Sequence, residues 1–200
     1  MPAPPEPPAV SEPVSLAIVL AGLGGAEGNG ARLVELAAPH LASVQTELCV
    51  LASRPRFVAH EGALRRASGF VFVTGTYWDG WSSHLQRFLE EATPTEATAL
   101  WLGKPAAIWV TAHSVGGKGV LSRLTGVLSS FGCAIPPMSG LVVTQANELA
   151  RAADPEAARD LYGPADLEIA VHNLLEAVQG THHYRAWDVD RADPSRRWLR

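Results

Sequence analysis

The sequence has little cysteine, no concentrated positive charge and no long apolar run. Its two cysteines, Cys49 and Cys133, belong to no C-x-x-C or Cys/His spacing of the kind that binds zinc. Both lie in apolar stretches, so we expect buried hydrophobes rather than reactive thiols. Sparse cysteine is also typical of a reducing compartment. The sequence therefore predicts no metal site.

Charge and hydropathy exclude two further classes. Lysine and arginine total 16 against 20 aspartates and glutamates, which gives a net charge of −4. Without a basic patch, non-specific nucleic-acid binding is not expected. No apolar run approaches the roughly 18 residues that a membrane span needs. We expect a cytoplasmic protein with no membrane span and no nucleic-acid partner.

One domain between two tails accounts for the 200 residues. The first tail, residues 1–13, reads MPAPPEPPAVSEP and lacks the basic and apolar parts of a signal peptide. Proline removes backbone donors and fixes φ, which predicts a disordered segment. Residues 182–200 are polar without periodicity and predict a second tail. Residues 14–181 are long enough for one sizeable core.

Apolar runs alternate with amphipathic segments along this domain. Strands alternating with helices indicate βαβ units and a parallel sheet covered on both faces. Ser82 or Ser83 is expected to cap one helix, and Asp166 another. We predict strands over 14–22, 44–53, 69–80 (running into a loop), 106–114 and 139–147, and helices over 31–43, 60–68, 82–92, 118–132 and 166–180.

Three loops at the carboxyl ends of these strands have the composition of a ligand site. Loop 22–30 has five glycines and opens onto a helix, so its amides and the helix N-terminus could receive a phosphate. Loop 74–81 carries Tyr77, Trp78 and Trp81, which either form a wall for a flat ligand or pack under the next helix. Loop 111–117 offers small and polar groups to a heteroaromatic edge. Together they suit a phosphorylated planar cofactor.

One segment admits a different interpretation. Residues 112–116, AHSVG, are one residue short of the G-x-S-x-G elbow of serine hydrolases, with Ser114 as nucleophile. An elbow normally has glycine where Ala112 stands, and His172 lies inside a predicted helix rather than after a strand. We therefore expect Ser114 to be a loop residue that faces a ligand, with hydrolysis as an alternative.

Two stretches carry a family resemblance. Residues 67–92, ASGFVFVTGTYWDGWSSHLQRFLEEA, and 103–137, GKPAAIWVTAHSVGGKGVLSRLTGVLSSFGCAIPP, resemble the flavodoxin-like NAD(P)H-dependent FMN reductases, a superfamily that includes quinone reductases. Gly75-Thr76-Tyr77 stands where the family has a P-x-Y loop beside the isoalloxazine. Loop 22–30 resembles the family's phosphate loop, S-x-R-x-x-S/N-x, but has no Ser, Thr or Arg. Gly30 stands where related loops carry a hydroxyl.

The resemblance implies an α/β fold, a flavodoxin-like doubly wound sheet of five parallel strands in the order 2-1-3-4-5 with helices on both faces. It implies an oxidoreductase, a homodimer or homotetramer, that passes reducing equivalents from NAD(P)H through bound FMN to a quinone, flavin, nitro or azo compound. No catalytic side chain is required beyond the flavin, although His113 could donate to a flavin carbonyl. The expected cofactor-binding residues are Gly24, Gly25, Gly28, Asn29, Gly30, Gly75, Thr76, Tyr77, Trp78, Thr111, Ala112, His113, Ser114, Gly116 and Gly117.

A protein of this fold could instead be an electron carrier or a flavin-free binding protein. Electron carriers tend to be strongly acidic, and a net charge of −4 does not favour that class. The absence of hydroxyls and arginine from loop 22–30 keeps the flavin-free alternative open.

Overall fold

Five parallel strands form one sheet in a computed structural model that describes residues 14–187. Their order, β2-β1-β3-β4-β5, confirms the expected flavodoxin-like topology. The tail expected over 1–13 lies outside the described residues, as does the part of the second tail beyond residue 187. The elements are β1 Ser15–Leu20, α1 Asn29–Ala37, β2 Gln45–Val50, α2 Glu61–Arg66, β3 Gly69–Gly75, α3 Ser83–Ala92, β4 Ala106–Ala112, α4 Gly117–Phe131, β5 Gly140–Thr144, α5 Gln145–Ala153 and α6 Leu167–Gln179.

Helices cover both faces of the sheet, as the apolar strands require. Every residue of β3 is buried, because its alternate side chains enter two separate cores. Phe70 and Phe72 face the core formed with α2, α3 and α4, whereas Val71 and Val73 face the core formed with α1 and α6. Since all four strand pairings are parallel, the carboxyl ends of the strands meet at one edge, which we call the rim.

The helix α5 was missed by the sequence prediction, which extended the fifth strand to residue 147. The strand ends at Thr144, whose Oγ1 accepts a hydrogen bond from the Asn147 N–H at 3.0 Å and caps α5. Its apolar residues Ala146, Leu149, Ala150 and Ala153 recur at helical spacing, but no residue of α5 is buried. Asp166 precedes α6 as expected, but its carboxylate accepts from the Gly163 N–H at 2.8 Å rather than from α6.

Both cysteines are buried and free, as expected. Burial raises the pKa of the Cys49 thiol to about 11 and that of the Cys133 thiol to about 12. Because the thiolate is the reactive form, neither side chain is suited to covalent chemistry at neutral pH.

Ser82 fastens the start of α3 to the rim and is the expected cap. Its buried hydroxyl accepts from the Leu85 N–H at 3.1 Å and donates to the carbonyl oxygen of Ala21, just after β1. Its own N–H donates to Thr74 Oγ1 at 3.3 Å. One serine thereby joins the loop after β1, the end of β3 and the N-terminus of α3.

We predict that Ser82→Ala lowers the free energy of unfolding by about 1–3 kcal/mol, because it removes a helix cap and leaves a buried carbonyl without its donor. The matched control is Ser83→Ala, an exposed serine one position along the same helix, which should change stability by less than about 0.5 kcal/mol. Urea unfolding followed by circular dichroism measures both. Equal losses in the two variants would show that the cap and bridge contribute nothing.

Candidate cofactor site at the rim

A cavity of about 500 Å³ opens at the rim between one face of α1 and the ends of β3, β4 and β5. We call it the rim cavity. Its volume falls in the range of roughly 300–1,000 Å³ typical of small-molecule sites. The expected site residues that line it are Asn29, Gly75, Thr76, Tyr77, Thr111, Ala112 and His113.

The remainder of loop 111–117 lines a neighbouring cavity of about 740 Å³ beside the edge strand β5. Ser114, Gly116 and Gly117 belong to this second cavity. Ser114 is exposed, and within residues 14–187 its hydroxyl forms no hydrogen bond with a histidine. The geometry therefore gives the hydrolase interpretation no base to activate this serine.

A two-residue turn extends the end of β3 over the rim. Tyr77 and Gly80 exchange backbone hydrogen bonds of 2.8 and 2.9 Å. Trp78 and Asp79 between them have φ values of 50° and 59°, a left-handed conformation that bulky residues rarely adopt. The Asp79 carboxylate lies where a side chain on Gly116 would stand. The turn therefore contacts the loop before α4.

The two tryptophans of loop 74–81 differ in their packing. Trp78 is fully exposed, with a relative accessibility of 103%. Trp81 packs against the core on the α3 side, and its Nε1 donates to Gln86 Oε1 at 2.8 Å. Trp81 is thus structural, whereas Trp78 is exposed and lines a separate cavity of about 550 Å³ together with Tyr77 and Leu23.

Tyr77 folds back from this turn onto loop 22–30. Its hydroxyl oxygen accepts from the Leu23 N–H at 2.9 Å. A Cβ on Gly75 would lie 2.9 Å from that oxygen and 3.0 Å from two ring carbons. Only glycine at position 75 leaves room for the ring in this position, so the departure from P-x-Y has a structural cause.

Loop 22–30 offers fewer free amides than its glycines suggested. The N–H groups of Gly25, Glu27 and Gly28 donate to carbonyls within the loop at 3.1, 3.1 and 3.3 Å. Gly24 and Gly28 touch each other, since a Cβ on Gly24 would lie 2.8 Å from Gly28 Cα. These glycines allow the chain to close on itself in a short turn. The first-turn amides of α1 remain available to an anion.

Gly30 lies at the start of α1, as expected. The helix begins at Asn29, so Gly30 lies inside its first turn and is buried. A Cβ on Gly30 would meet Leu20 at 3.1 Å and Val73 at 3.3 Å. A side chain at position 30 would therefore be crowded by these two residues, whereas the Gly30 N–H lies in the first turn of α1.

Thr76 Oγ1 is buried without a hydrogen-bond partner in the part of the chain that the structure describes. Thr76 lines the rim cavity, beside the N-terminus of α4. An unsatisfied buried hydroxyl costs roughly 1–3 kcal/mol. A polar ligand edge in the cavity would remove that cost.

Residues 16–148 match the family model described as NADPH-dependent FMN reductase. The chain belongs to this family. It is an oxidoreductase of the NAD(P)H-dependent FMN reductase type. No curated protein matches the chain.

Solved structures share the fold of this family member at low sequence identity. RosB, solved with bound 8-demethyl-8-formylriboflavin-5'-phosphate, has a TM-score of 0.68 at 12% identity, covering 94% of this chain and 95% of its own. The apo NADH:FMN oxidoreductase EMOB has a TM-score of 0.61 at 19% identity, with coverages of 82% and 89%. The flavoenzyme NAD(P)H:(acceptor) oxidoreductase FerB from Paracoccus denitrificans has 0.58 at 15%, with coverages of 82% and 98%.

Sequence analysis missed the part of the rim cavity wall that α5 provides. Gln145 and Glu148 line the cavity together with Arg32 of α1. The sequence did contain a signal for this helix, because Thr144 is a residue type that caps helix N-termini and three polar or small residues follow it. Arg32 is paired with Glu35 at 2.8 Å.

Among residues 14–187, no helix is long and apolar enough to cross a membrane, and no cluster of side chains has the composition of a metal site.

We predict that Gly116→Ala destabilises the protein by about 1–3 kcal/mol, because position 116 has a φ of 84° and its Cβ would overlap Asp79. Gly119→Ala is the matched control in the same helix, since a Cβ there meets no atom within 4 Å. This control should be stabilised by about 0.5–1 kcal/mol through helix propensity. Chemical denaturation tests both, and stabilisation of Gly116→Ala would contradict the packing described.

Proposed function

We propose that the protein binds FMN in the rim cavity and passes reducing equivalents from NAD(P)H to a quinone, flavin, nitro or azo compound. One observation carries the proposal. In a chain of the FMN reductase family, a cavity of about 500 Å³ gathers residues from the loops after β3 and β4 and from the start of α1. These are the carboxyl-end positions at which doubly wound sheets bind ligands.

The residues of the rim cavity fit a planar phosphorylated group. The orphaned Thr76 Oγ1 requires a polar partner, which the edge of a flavin ring provides. The first-turn amides of α1 and the helix dipole favour an anion at the other end of the cavity. Glu27 is the only charged side chain in loop 22–30, so a phosphate would depend on uncharged donors there.

Bound FMN would supply the hydride chemistry. The chain would hold and orient the cofactor through groups already on the rim. Asn29, Gly30 and Ala31 present the first-turn amides of α1. The exposed His113 lines the cavity and could donate to a ring carbonyl. Trp78 follows Tyr77 directly and is exposed, so it could cover one face of a bound ring.

We further propose that the protein acts in the cytoplasm as a homodimer or homotetramer. Large apolar side chains stand exposed around the rim, with Trp78 at 103% and Val115 at 77%. A second copy that covers them would also close the open side of the site. Light scattering should give a mass of at least twice the 21.2 kDa of one chain, and a monomeric mass would contradict this proposal.

We predict that Thr76→Val weakens FMN binding but stabilises the protein without ligand. The change keeps the side-chain shape and removes a hydroxyl that is unsatisfied until a ligand binds. Stability without FMN should rise by about 1 kcal/mol, and the FMN dissociation constant should rise about fivefold to tenfold. Thr46→Val, on the exposed edge strand β2, should change neither affinity nor the spectrum of bound flavin.

Flavin fluorescence quenching measures affinity, and bleaching of bound flavin by NADH or NADPH tests the redox role. No saturable quenching in the wild-type protein would favour the flavin-free alternative. Binding without reduction by either nicotinamide would favour an electron carrier. Ester hydrolysis that disappears in Ser114→Ala would favour the hydrolase.

A further inference from the structure

The chain has no side-chain hydroxyl in the loop where a flavin phosphate would bind. Residues 22–30 contain no Ser, Thr, Lys or Arg, and their one charged side chain is acidic. Three of their amides already donate to carbonyls of the loop itself. Backbone amides remain at the start of α1, but a side-chain hydroxyl for a phosphate at this position has to come from another segment.

Tyr77 brings a hydroxyl to this loop from the end of β3. Its oxygen accepts from the Leu23 N–H at 2.9 Å. A phenol hydroxyl has one hydrogen to donate in addition to its acceptor sites, so this bond leaves the hydrogen free. Accepting a hydrogen bond also polarises the O–H and makes it a better donor. The fixed oxygen therefore presents a donor beside loop 22–30.

The position of Tyr77 is fixed from two sides. Its backbone is held by paired hydrogen bonds with Gly80, and its ring passes over Gly75, where a Cβ would come within 3.0 Å. Tyr77 and Gly75 line the rim cavity together with Asn29, the first residue of α1. Tyr77, the unpartnered Thr76 and the start of α1 therefore line the same cavity.

We propose that the Tyr77 hydroxyl is a phosphate ligand, in place of the hydroxyl that loop 22–30 lacks, and that Gly75 makes room for it. This assigns Tyr77 to the phosphate end of the cofactor rather than to a stacking wall beside the ring. The proposal rests on the proposed function, since the phosphate is that of FMN.

The test compares FMN with riboflavin, which has the same ring system but no phosphate. Tyr77→Phe removes only the hydroxyl. A hydrogen bond to a charged group corresponds to about a tenfold change in affinity or more. We therefore expect the FMN dissociation constant to rise about tenfold, while that of riboflavin stays within about twofold. Fluorescence quenching measures both, and circular dichroism confirms folding.

Tyr184→Phe is the matched control, because Tyr184 lies beside Gly103, before the start of β4 and so at the opposite end of the sheet. It should leave both affinities unchanged. Gly75→Ala is the second variant, since its Cβ would displace the Tyr77 ring. It should weaken FMN binding more than riboflavin binding.

Three results would overturn the assignment while leaving the proposed function standing. The first is unchanged FMN affinity in Tyr77→Phe, and the second is an equal loss of affinity for FMN and riboflavin in that variant. The third is tighter FMN binding by Tyr77→Phe, which would mean that the hydroxyl occupies the position of the phosphate. A wild-type protein that binds neither flavin would overturn the proposed function and this assignment together.

Discussion

The rim depends on the close approach of Tyr77 to Gly75. Because position 75 has no side chain, the tyrosine ring folds back and its hydroxyl reaches the Leu23 N–H. The same segment places Asp79 against Gly116, and five residues after Tyr77 its Ser82 hydroxyl donates to the Ala21 carbonyl. One stretch of chain after β3 thus joins the loops after β1 and β4. A side chain at position 75 would displace the Tyr77 ring from its place in this arrangement.

These contacts explain why so many rim residues are glycine. At positions 75 and 116 the missing side chain makes space for another part of the protein, and at Gly24 and Gly28 two backbone segments touch. The loops are therefore fixed before any ligand arrives, which reduces the ordering cost of binding. Trp78 is held in an unfavourable left-handed conformation, and strain of this kind clusters at functional sites.

The fold could be predicted because alternation of strand and helix and burial on both faces of β3 are local in sequence. The helix α5 was missed because it begins at Gln145, directly after β5 ends at Thr144, so no loop separates the two patterns. The detail of the site depends on contacts between distant segments. Tyr77 and Leu23 are 54 positions apart, and no local pattern reveals their hydrogen bond. The packing of Gly30 against Leu20 and Val73 is likewise a contact between separate segments that no local pattern reveals.

The central claim is that the rim cavity is the flavin site, and amide chemical-shift mapping tests it most directly. Titration of the isotope-labelled protein with FMN should shift the resonances of Asn29 to Ala31, of residues 75–77 and of residues 111–113, which surround the cavity. Resonances at the opposite edge of the sheet, such as that of Gly103, should stay in place. Shifts confined to the neighbouring cavity beside β5, or none at saturating FMN, would contradict the account.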